Sequence, residues 1–437
     1  MFKTIANAWK IPDLRKKMLF TVFIVFVFRI GSVIPVPFLD VTALKALTQS
    51  ISEGNSMLAY FDLFSGGAFS NATLFAMSVT PYINSSIIMQ LLTVAIPPLE
   101  RLAKEGNEGR KKIATITRYV TVILGIVQGT AYYIWLLRSN IVSYSGWSFE
   151  GVFTALVIIL TFTAGTALMM WLGEQINQNG VGNGISILLF VGIIARIPVT
   201  FGTLWETFQA GLAGDVSKII LPIVFIILFL IIIWVIVFMN DAERRIPIQY
   251  AKRVVGRKMY GGQSTYLPIK VGLSGVMPII FASSILSIPS TILLFVGEDN
   301  LNDFWKGFFN VFTMGGWIYI GLYFLLIIGF AYFYVTIQYN PIEMANNLRQ
   351  NNGTIKGIRP GKPTQDFIAK ILSKITLIGA LFLAFIAIVP LIYSNVTNMR
   401  GLMMGGTSVI ILVGVALETM KQIESQMMMR HYKGFLD

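Results

Sequence analysis

The chain has 437 residues, a mean hydropathy of +0.71 and only 13% charged residues. Soluble domains carry about a quarter charged residues, so that class is excluded. The net charge of +13 reads as a topology signal, because the basic residues occupy separate loops between apolar segments.

Residues 1–17 predict a short amphipathic interfacial segment, with Phe2, Ile5, Trp9 and Leu14 opposed to Lys3, Lys10 and Lys16. Ten apolar segments follow, at 18–38, 74–97, 113–137, 150–173, 184–204, 217–239, 272–296, 316–339, 371–393 and 402–420. Each approaches the roughly 20 apolar residues that a bilayer-spanning helix needs. The first follows a basic stretch but is too long for the apolar core of a signal peptide. Val33-Ile34-Pro35-Val36-Pro37 also offers no small-residue cleavage site, so this span reads as retained.

In the long loop that follows, Met57 to Phe69 is apolar but too short to cross, and Gly66-Gly67 interrupts it. A re-entrant segment buried in protein and a surface amphipathic helix both satisfy this pattern. The second span carries a polar stripe of Thr80, Tyr82, Asn84, Ser85, Ser86 and Gln90. Gly125 and Gly129 have the GxxxG spacing of a helix-packing face. Pro81, Pro278 and Pro289 allow kinks, since each removes a helical hydrogen bond.

Two loops exceed what connection requires. Residues 240–271 alternate in polarity and carry β-branched residues, which predicts a hairpin with Gly256 near its tip. Residues 340–370 carry Asn-, Gly- and Pro-rich turns. Long structured loops on a rigid scaffold are usually functional, although solvated anchoring would also explain them. The loop charges alternate along the chain. One side collects Lys3 to Lys17, Arg101 to Arg118, Arg244 to Lys270, Arg349 to Lys374, and Lys421 to Lys433. The other side has only Lys45, Arg138, Arg196, Lys218, Lys306 and Arg400. The positive-inside rule places both termini in the cytoplasm.

Reactive chemistry is sparse. Zero cysteines exclude disulfides, thiolate metal sites and cysteine nucleophiles. The single histidine, His431, stands in the C-terminal tail, so no histidine relay or triad operates within the membrane. Gly180-Val181-Gly182-Asn183-Gly184 imitates a dinucleotide fingerprint, but residue 185 is Ile and no βαβ unit surrounds it. Gly361-Lys362 imitates the end of a P-loop, but Pro363 replaces the Mg²⁺-binding hydroxyl. No cofactor is implied. Carboxylates lie almost entirely in loops, Glu174 and Glu418 near span ends excepted, and Arg29 is the cation of the first span. This argues against an ion-coupled solute transporter, which places carboxylates or broken helices near the midplane. It also argues against an intramembrane protease. Composition alone leaves a polytopic channel or transporter with unusual cytoplasmic loops.

The motifs resemble the SecY family, channel subunits of the bacterial protein-translocation complex, over nearly the whole chain. They include Phe28-Arg29-Ile30-Gly31-Ser32, Phe64-Ser65-Gly66-Gly67-Ala68, Glu105-Gly106-Asn107-Glu108-Gly109-Arg110 and Trp171-Leu172-Gly173-Glu174-Gln175-Ile176. Gly182-Asn183-Gly184-Ile185-Ser186, Gln263-Ser264-Thr265-Tyr266-Leu267-Pro268, Phe281-Ala282-Ser283-Ser284, Gly357-Ile358-Arg359-Pro360-Gly361 and Gly405-Gly406-Thr407-Ser408 continue the series in the right topological order.

The resemblance implies an all-α polytopic membrane protein of ten transmembrane helices in two pseudosymmetric halves, a clamshell with a re-entrant plug helix. The halves would be 18–204, which contains plug 57–71, and 205–421, followed by a cytoplasmic tail, 422–437. The plug itself would comprise Asp62, Leu63, Phe64, Ser65, Gly66, Gly67, Ala68, Phe69, Ser70 and Asn71. A pore ring of Val79, Ile83, Ile185, Leu189, Ile280 and Ile411 would close the waist. A lateral gate between spans two and three and spans seven and eight would include Thr80 and Gln90. Arg257, Lys258 and Arg359 would dock the SecA motor ATPase and the ribosome. The other implied partners are SecE, SecG, secretory precursor polypeptide and anionic phospholipid. The implied role is a protein-conducting channel rather than an enzyme, in the bacterial cytoplasmic membrane.

Overall fold

In a computed structural model, residues 2–40, 42–44, 62, 65–144, 146, 148–212, 216–250, 253–255, 258–260, 264–296, 301–312, 316–397 and 406–433 are described. The helices are α1 (Phe2–Trp9), α2 (Pro12–Gly31), α3 (Thr80–Ala95), α4 (Pro97–Lys104), α5 (Asn107–Arg138), α6 (Phe149–Asn179) and α7 (Gly184–Leu212). They continue with α8 (Val216–Asp241), α9 (Met277–Val296), α10 (Asp303–Val311), α11 (Trp317–Gln338), α12 (Pro341–Gln350), α13 (Lys362–Thr397) and α14 (Gly406–Lys433). The strands are β1 (Glu243–Tyr250), β2 (Arg253–Val255), β3 (Lys258–Tyr260), β4 (Ser264–Lys270) and β5 (Gly353–Ile355).

A long helix stands at each of the ten predicted spans: α2, α3, α5, α6, α7, α8, α9, α11, α13 and α14. Among the described residues, seven helices are each long and apolar enough to cross a membrane alone, or eight spans if α3 and α4 are joined. The α3–α4 pair bends by 101°. The bend falls at Ile96, before Pro97 and Pro98, where the residue preceding a proline is driven out of the helical region. The α2 and α9 helices are 20 residues each, and α2 carries the basic stretch Arg15-Lys16-Lys17 in its first two turns.

The first predicted span ends too late. Helix α2 stops at Gly31, and residues 32–40 turn away instead of continuing to 38. Two prolines, Pro35 and Pro37, cannot donate to a helical ladder. The backbone there pairs with the following loop instead: Val36 N donates to Ala72 O at 3.0 Å, and Leu74 N donates to Ile34 O at 3.0 Å. The second predicted span likewise begins too early. Residues 74–79 form consecutive turns, with Ser78 at φ +53°, before α3 starts at Thr80 with Pro81 in its first turn. The N-terminal segment is two pieces rather than one, because Pro12 starts α2 after the break at residues 10–11. Thr4 Oγ1 on α1 donates to Glu424 Oε1 of α14 at 3.2 Å.

The predicted packing glycines behave as packing residues. A Cβ on Gly125 would lie 3.7 Å from Thr163 and Thr166 of α6, and one on Gly129 3.5 Å from Phe162. The failed dinucleotide fingerprint is a tight turn between α6 and α7. There Gly182 has φ +89°, and a Cβ on Gly184 would sit 1.9 Å from Gly173 O.

The loop at 240–271 is a hairpin. Strand β1 pairs with β4, from Glu243 opposite Lys270 to Gln249 opposite Ser264, and β2 pairs with β3, Val255 opposite Lys258. Both ladders keep one register, and Gly256, expected near the tip, lies outside the described residues. Strand β5, from the other large loop, adds to the free edge of β1, with Ile248 opposite Ile355. The order β4-β1-β5 thus fuses the two long loops into one body. Its core contains Ile246, Ile248, Ile269, Leu348, Ile355 and Ile368.

Candidate functional site

The six residues expected at a constriction come from four helices and the turn preceding α3. Val79 precedes α3 and Ile83 lies in its first turn, while Ile185 and Leu189 sit at the start of α7. Ile280 lies in the first turn of α9, and Ile411 in the second turn of α14. All six meet in one apolar cluster. Val79, Leu189, Ile280 and Ile411 are buried in it, and Ile83 and Ile185 pack against it half-buried. The cluster also contains Ile24, Phe28, Ala68, Phe75, Met169 and Ile187. It therefore joins helices from the first and last thirds of the chain with one residue of the re-entrant segment. Glycines make the approach possible. A Cβ on Gly173 would fall 2.5 Å from Ile185 Cδ1, and one on Gly31 would fall 2.1 Å from the Phe75 ring.

Of the expected plug residues, Leu63 and Phe64 lie outside the described residues. The others form a compact knot. Ser65 Oγ donates to Asp62 O at 3.1 Å, Phe69 N donates to Ser65 Oγ at 2.9 Å, and Ser70 N donates to Asp62 Oδ1 at 2.8 Å. Asn71 Nδ2 donates to Gly67 O at 2.7 Å. Gly66 has φ +65° and lies so close to Gly192 of α7 that a Cβ would be 3.0 Å from its Cα and O. Ala68 and Ala72 are fully buried, and Phe69 is almost so. The Phe69 ring lies 4.4 Å from that of Tyr132, whose hydroxyl donates to Phe69 O at 2.8 Å. Burial of this kind matches the re-entrant alternative rather than the surface helix.

One feature escaped the sequence. Arg196, grouped there with the sparse charges of the far side, lies inside α7, and its Nη2 forms an ion pair with Asp62 Oδ2. The side chains retain only 17% and 2% exposure. Opposite charge was the only sequence signal, and nothing in the sequence brings residues 62 and 196 together.

Thr80 and Gln90 are both half-buried on α3. Gln90 Nε2 donates to Ser86 Oγ at 3.4 Å within the same helix. Ser85 Oγ donates across to Thr117 O of α5 at 2.7 Å, so part of the polar stripe ties α3 to α5. Helix α9 packs against α3, α5 and α11, so the four helices of the expected gate adjoin one another. At the ends of the spans, Arg118 Nε of α5 meets Glu174 Oε1 of α6 at 2.7 Å, and Lys421 Nζ of α14 meets Asp241 Oδ1 at 2.9 Å.

Of the three expected docking residues, Arg257 lies outside the described residues, and Lys258 is the first residue of β3. Arg359 is exposed on a turn between Gly357 (φ +83°) and Gly361 (φ +105°), a conformation that glycine adopts without strain. Its neighbour Ile358 packs into the core of the sheet body, and Arg359 O accepts from Thr364 Oγ1 at 2.9 Å. The Arg359 side chain is thus exposed while the residue before it is anchored in the core. Among the described residues, no group of His, Asp or Glu side chains could hold a metal ion.

An apolar waist, a re-entrant segment packed into it and a large body on one side define a polytopic membrane channel subunit. The SecY family model matches residues 73–420, and the chain belongs to that family. It is similar to protein translocase subunit SecY of Streptomyces scabiei, 43% identical over 444 residues that cover 100% of both chains. The same-named protein of Streptomyces coelicolor is 44% identical over 446 residues, again with 100% coverage of both. Among solved structures, one described as "The structure of a protein conducting channel" covers 94% of this chain and 92% of its own, at TM-score 0.63 and 19% identity. Sec61 in the canine ribosome-channel complex covers the same shares at TM-score 0.60 and 17% identity.

Proposed function

We propose that this chain is the protein-conducting channel of a translocase. It passes unfolded secretory polypeptides across the cytoplasmic membrane and releases signal or transmembrane helices sideways into lipid. The observation that carries the reading is the convergence of Val79, Ile83, Ile185, Leu189, Ile280 and Ile411 on one apolar cluster that also contains Ala68 of the plug segment. A conduit for every sequence cannot hold its cargo through specific hydrogen bonds. An apolar constriction offers no partner to water or ions and gates by dewetting. Aliphatic side chains also deform around whatever cargo residue is passing.

In this reading residues 62–71 are the plug, and the Asp62–Arg196 pair secures it against α7. The clamshell halves are 18–204 and 205–421, with 1–17 and 422–437 as cytoplasmic flanks. The gate lies between α3 and α5 on one side and α9 and α11 on the other, with Thr80 and Gln90 setting how readily it parts. An apolar signal helix leaves through it because transfer of apolar surface out of water is favourable by about 25 cal/mol per Å². The sheet body docks the driver. Arg257 and Lys258, which the family resemblance puts at the tip of the loop, and Arg359 on its glycine-flanked turn suit acidic surfaces of the SecA motor and the phosphates of ribosomal RNA, contacts that weaken with salt. The Sec61 neighbour was solved bound to a ribosome, which supports that partnership. SecE and SecG would complete the complex around the helices. Anionic phospholipid would meet the basic loops, and both termini would face the cytoplasm.

Reconstitution of the chain with SecE, SecG and SecA in vesicles tests the reading through protease protection of a secretory precursor. Protection that needs both ATP and this chain is expected. Its absence, together with ion-driven uptake of a small solute, would sink the channel reading.

A further inference from the structure

Helix α10 (Asp303–Val311) is nine residues long and connects α9 to α11 on the side away from the β-sheet. Isolated helices shorter than about 12 residues are marginal in water. Yet α10 packs little against its own chain: Phe304, Trp305 and Phe308 are 77%, 48% and 44% exposed. Its residues separate cleanly by helical spacing. Phe304, Trp305, Phe308 and Phe309 fall on one face and continue into Phe312, while Asp303, Lys306 and Asn310 fall on the other. The aromatic rings form a continuous chain: Trp305 to Phe308 at 5.8 Å, Phe308 to Phe309 at 5.5 Å, and Phe308 to Phe312 at 5.2 Å. Phe312 joins the core of α8, α9, α11, α13 and α14, which anchors the end of this chain of rings.

We propose that α10 is an interfacial helix that seats its aromatic face at the acyl–headgroup boundary of the leaflet away from the β-sheet. Two observations favour lipid over a protein partner. Six residues separate α9 from α10 and five separate α10 from α11, so both ends of α10 are tethered near the ends of two spans. Its covered face is also purely aromatic, with the charges on the opposite face, the pattern of helices that lie in the interface. The inference goes beyond the channel reading and needs only that α9 and α11 cross the bilayer. A seated α10 fixes the depth of the adjoining end of α9.

The chain has no cysteine, so a single introduced one can be labelled without background. Phe308→Cys and Lys306→Cys would each carry a nitroxide in vesicles of phosphatidylethanolamine and phosphatidylglycerol. Power saturation then compares collisions with oxygen and with a water-soluble nickel complex. Oxygen should exceed nickel several-fold at position 308 and the order should reverse at 306. Nickel dominance at both positions would mean a helix free in water, and low collision rates with both reagents at 308 would mean a protein cover; either result overturns the proposal. Should Phe308→Cys misfold, a component of the tryptophan quenching by brominated lipid that is lost in Trp305→Phe gives the same reading, and no change in quenching overturns it. Precursor transport by the same vesicles is scored separately, so the channel reading stands or falls on its own.

Discussion

The waist and the sheet body are held together by opposite means. The waist cluster is apolar side chains from α2, the turns at 68–79, α3, α6, α7, α9 and α14, joined by contacts that have no fixed direction. The sheet body is a hydrogen-bonded register, with β4, β1 and β5 locked residue by residue over a buried isoleucine core. Dispersion contacts are weak singly and indifferent to direction, whereas a ladder tolerates no slip, since one residue's shift turns every side chain to the wrong face. A seal that must part and close suits the first construction. A surface that must transmit force or hold a partner suits the second. The plug knot is intermediate: apolar at Ala68 and Phe69, and directional at Asp62.

The largest expected effect separates drive from seal. Arg359→Glu reverses a charge that stands exposed on a rigid turn. SecA-driven protection of a precursor should fall to near background while ion leak through the vesicles stays at its wild-type value. A rise in leak would show that the sheet body and the waist are not separable. Asp62→Asn should do the reverse. Removing one partner of a buried pair leaves the other charge stranded, at a cost of 3–5 kcal/mol when burial is complete. Arg196 keeps some exposure, so about 2–3 kcal/mol is the expected loss of closed-state stability. Single-channel recording should show openings more frequent by one to two orders of magnitude, with SecA binding unchanged. Wild-type closure in this variant would mean that the ion pair does not secure the plug.

The spans were legible because a bilayer forces length and hydropathy on a helix, and the positive-inside pattern needs no tertiary knowledge. Their ends were not. The apolar runs at 33–38 and 74–79 look like helix, yet Pro35 and Pro37 and the strained Ser78 fold them into paired turns. The hairpin was readable from alternation, but the addition of β5 to β1 was not, because it pairs Ile248 with Ile355 across two spans. The six residues proposed for the waist were named from family motifs; nothing in their composition distinguishes them from other Val, Ile and Leu. Asp62–Arg196 and the aromatic face of α10 were missed for different reasons. The first is a long-range pairing, and the second is a helix too short for a search tuned to bilayer-length segments.

A smaller change tests whether the waist tolerates repacking. Ile411 is fully buried there. Ile411→Val removes one methylene and should cost about 1 kcal/mol, read as a lowered Tm in detergent. If the cluster is adaptable, leak should remain near wild type. A large leak from so small a deletion would mean that the seal depends on exact fit, and the contrast with the sheet body would then fail.

The smallest expected effect concerns the loop after α2, where a single carboxylate organises a turn. Asp40 Oδ1 accepts from Thr42 N at 2.9 Å, from Thr42 Oγ1 at 2.5 Å and from Ala43 N at 3.2 Å, while Asp40 N donates to Ile141 O at 3.0 Å. The Thr42 side chain, then the Ala43 and Thr42 amides, stabilise the charged form and hold this carboxyl below its usual value of 3.8. A depressed folded-state pKa contributes stability that is full above the unfolded value and is lost as pH falls through the folded one. Pepsin cleavage in this loop, divided at each pH by the rate on an unstructured peptide because the protease itself gains activity in acid, should therefore stay constant from pH 5 down to about 4, then rise as acid protonates Asp40. Asp40→Asn cannot titrate and should show no such acceleration. An equal rise in both proteins would assign the acid sensitivity to other groups and leave the turn without a role in it.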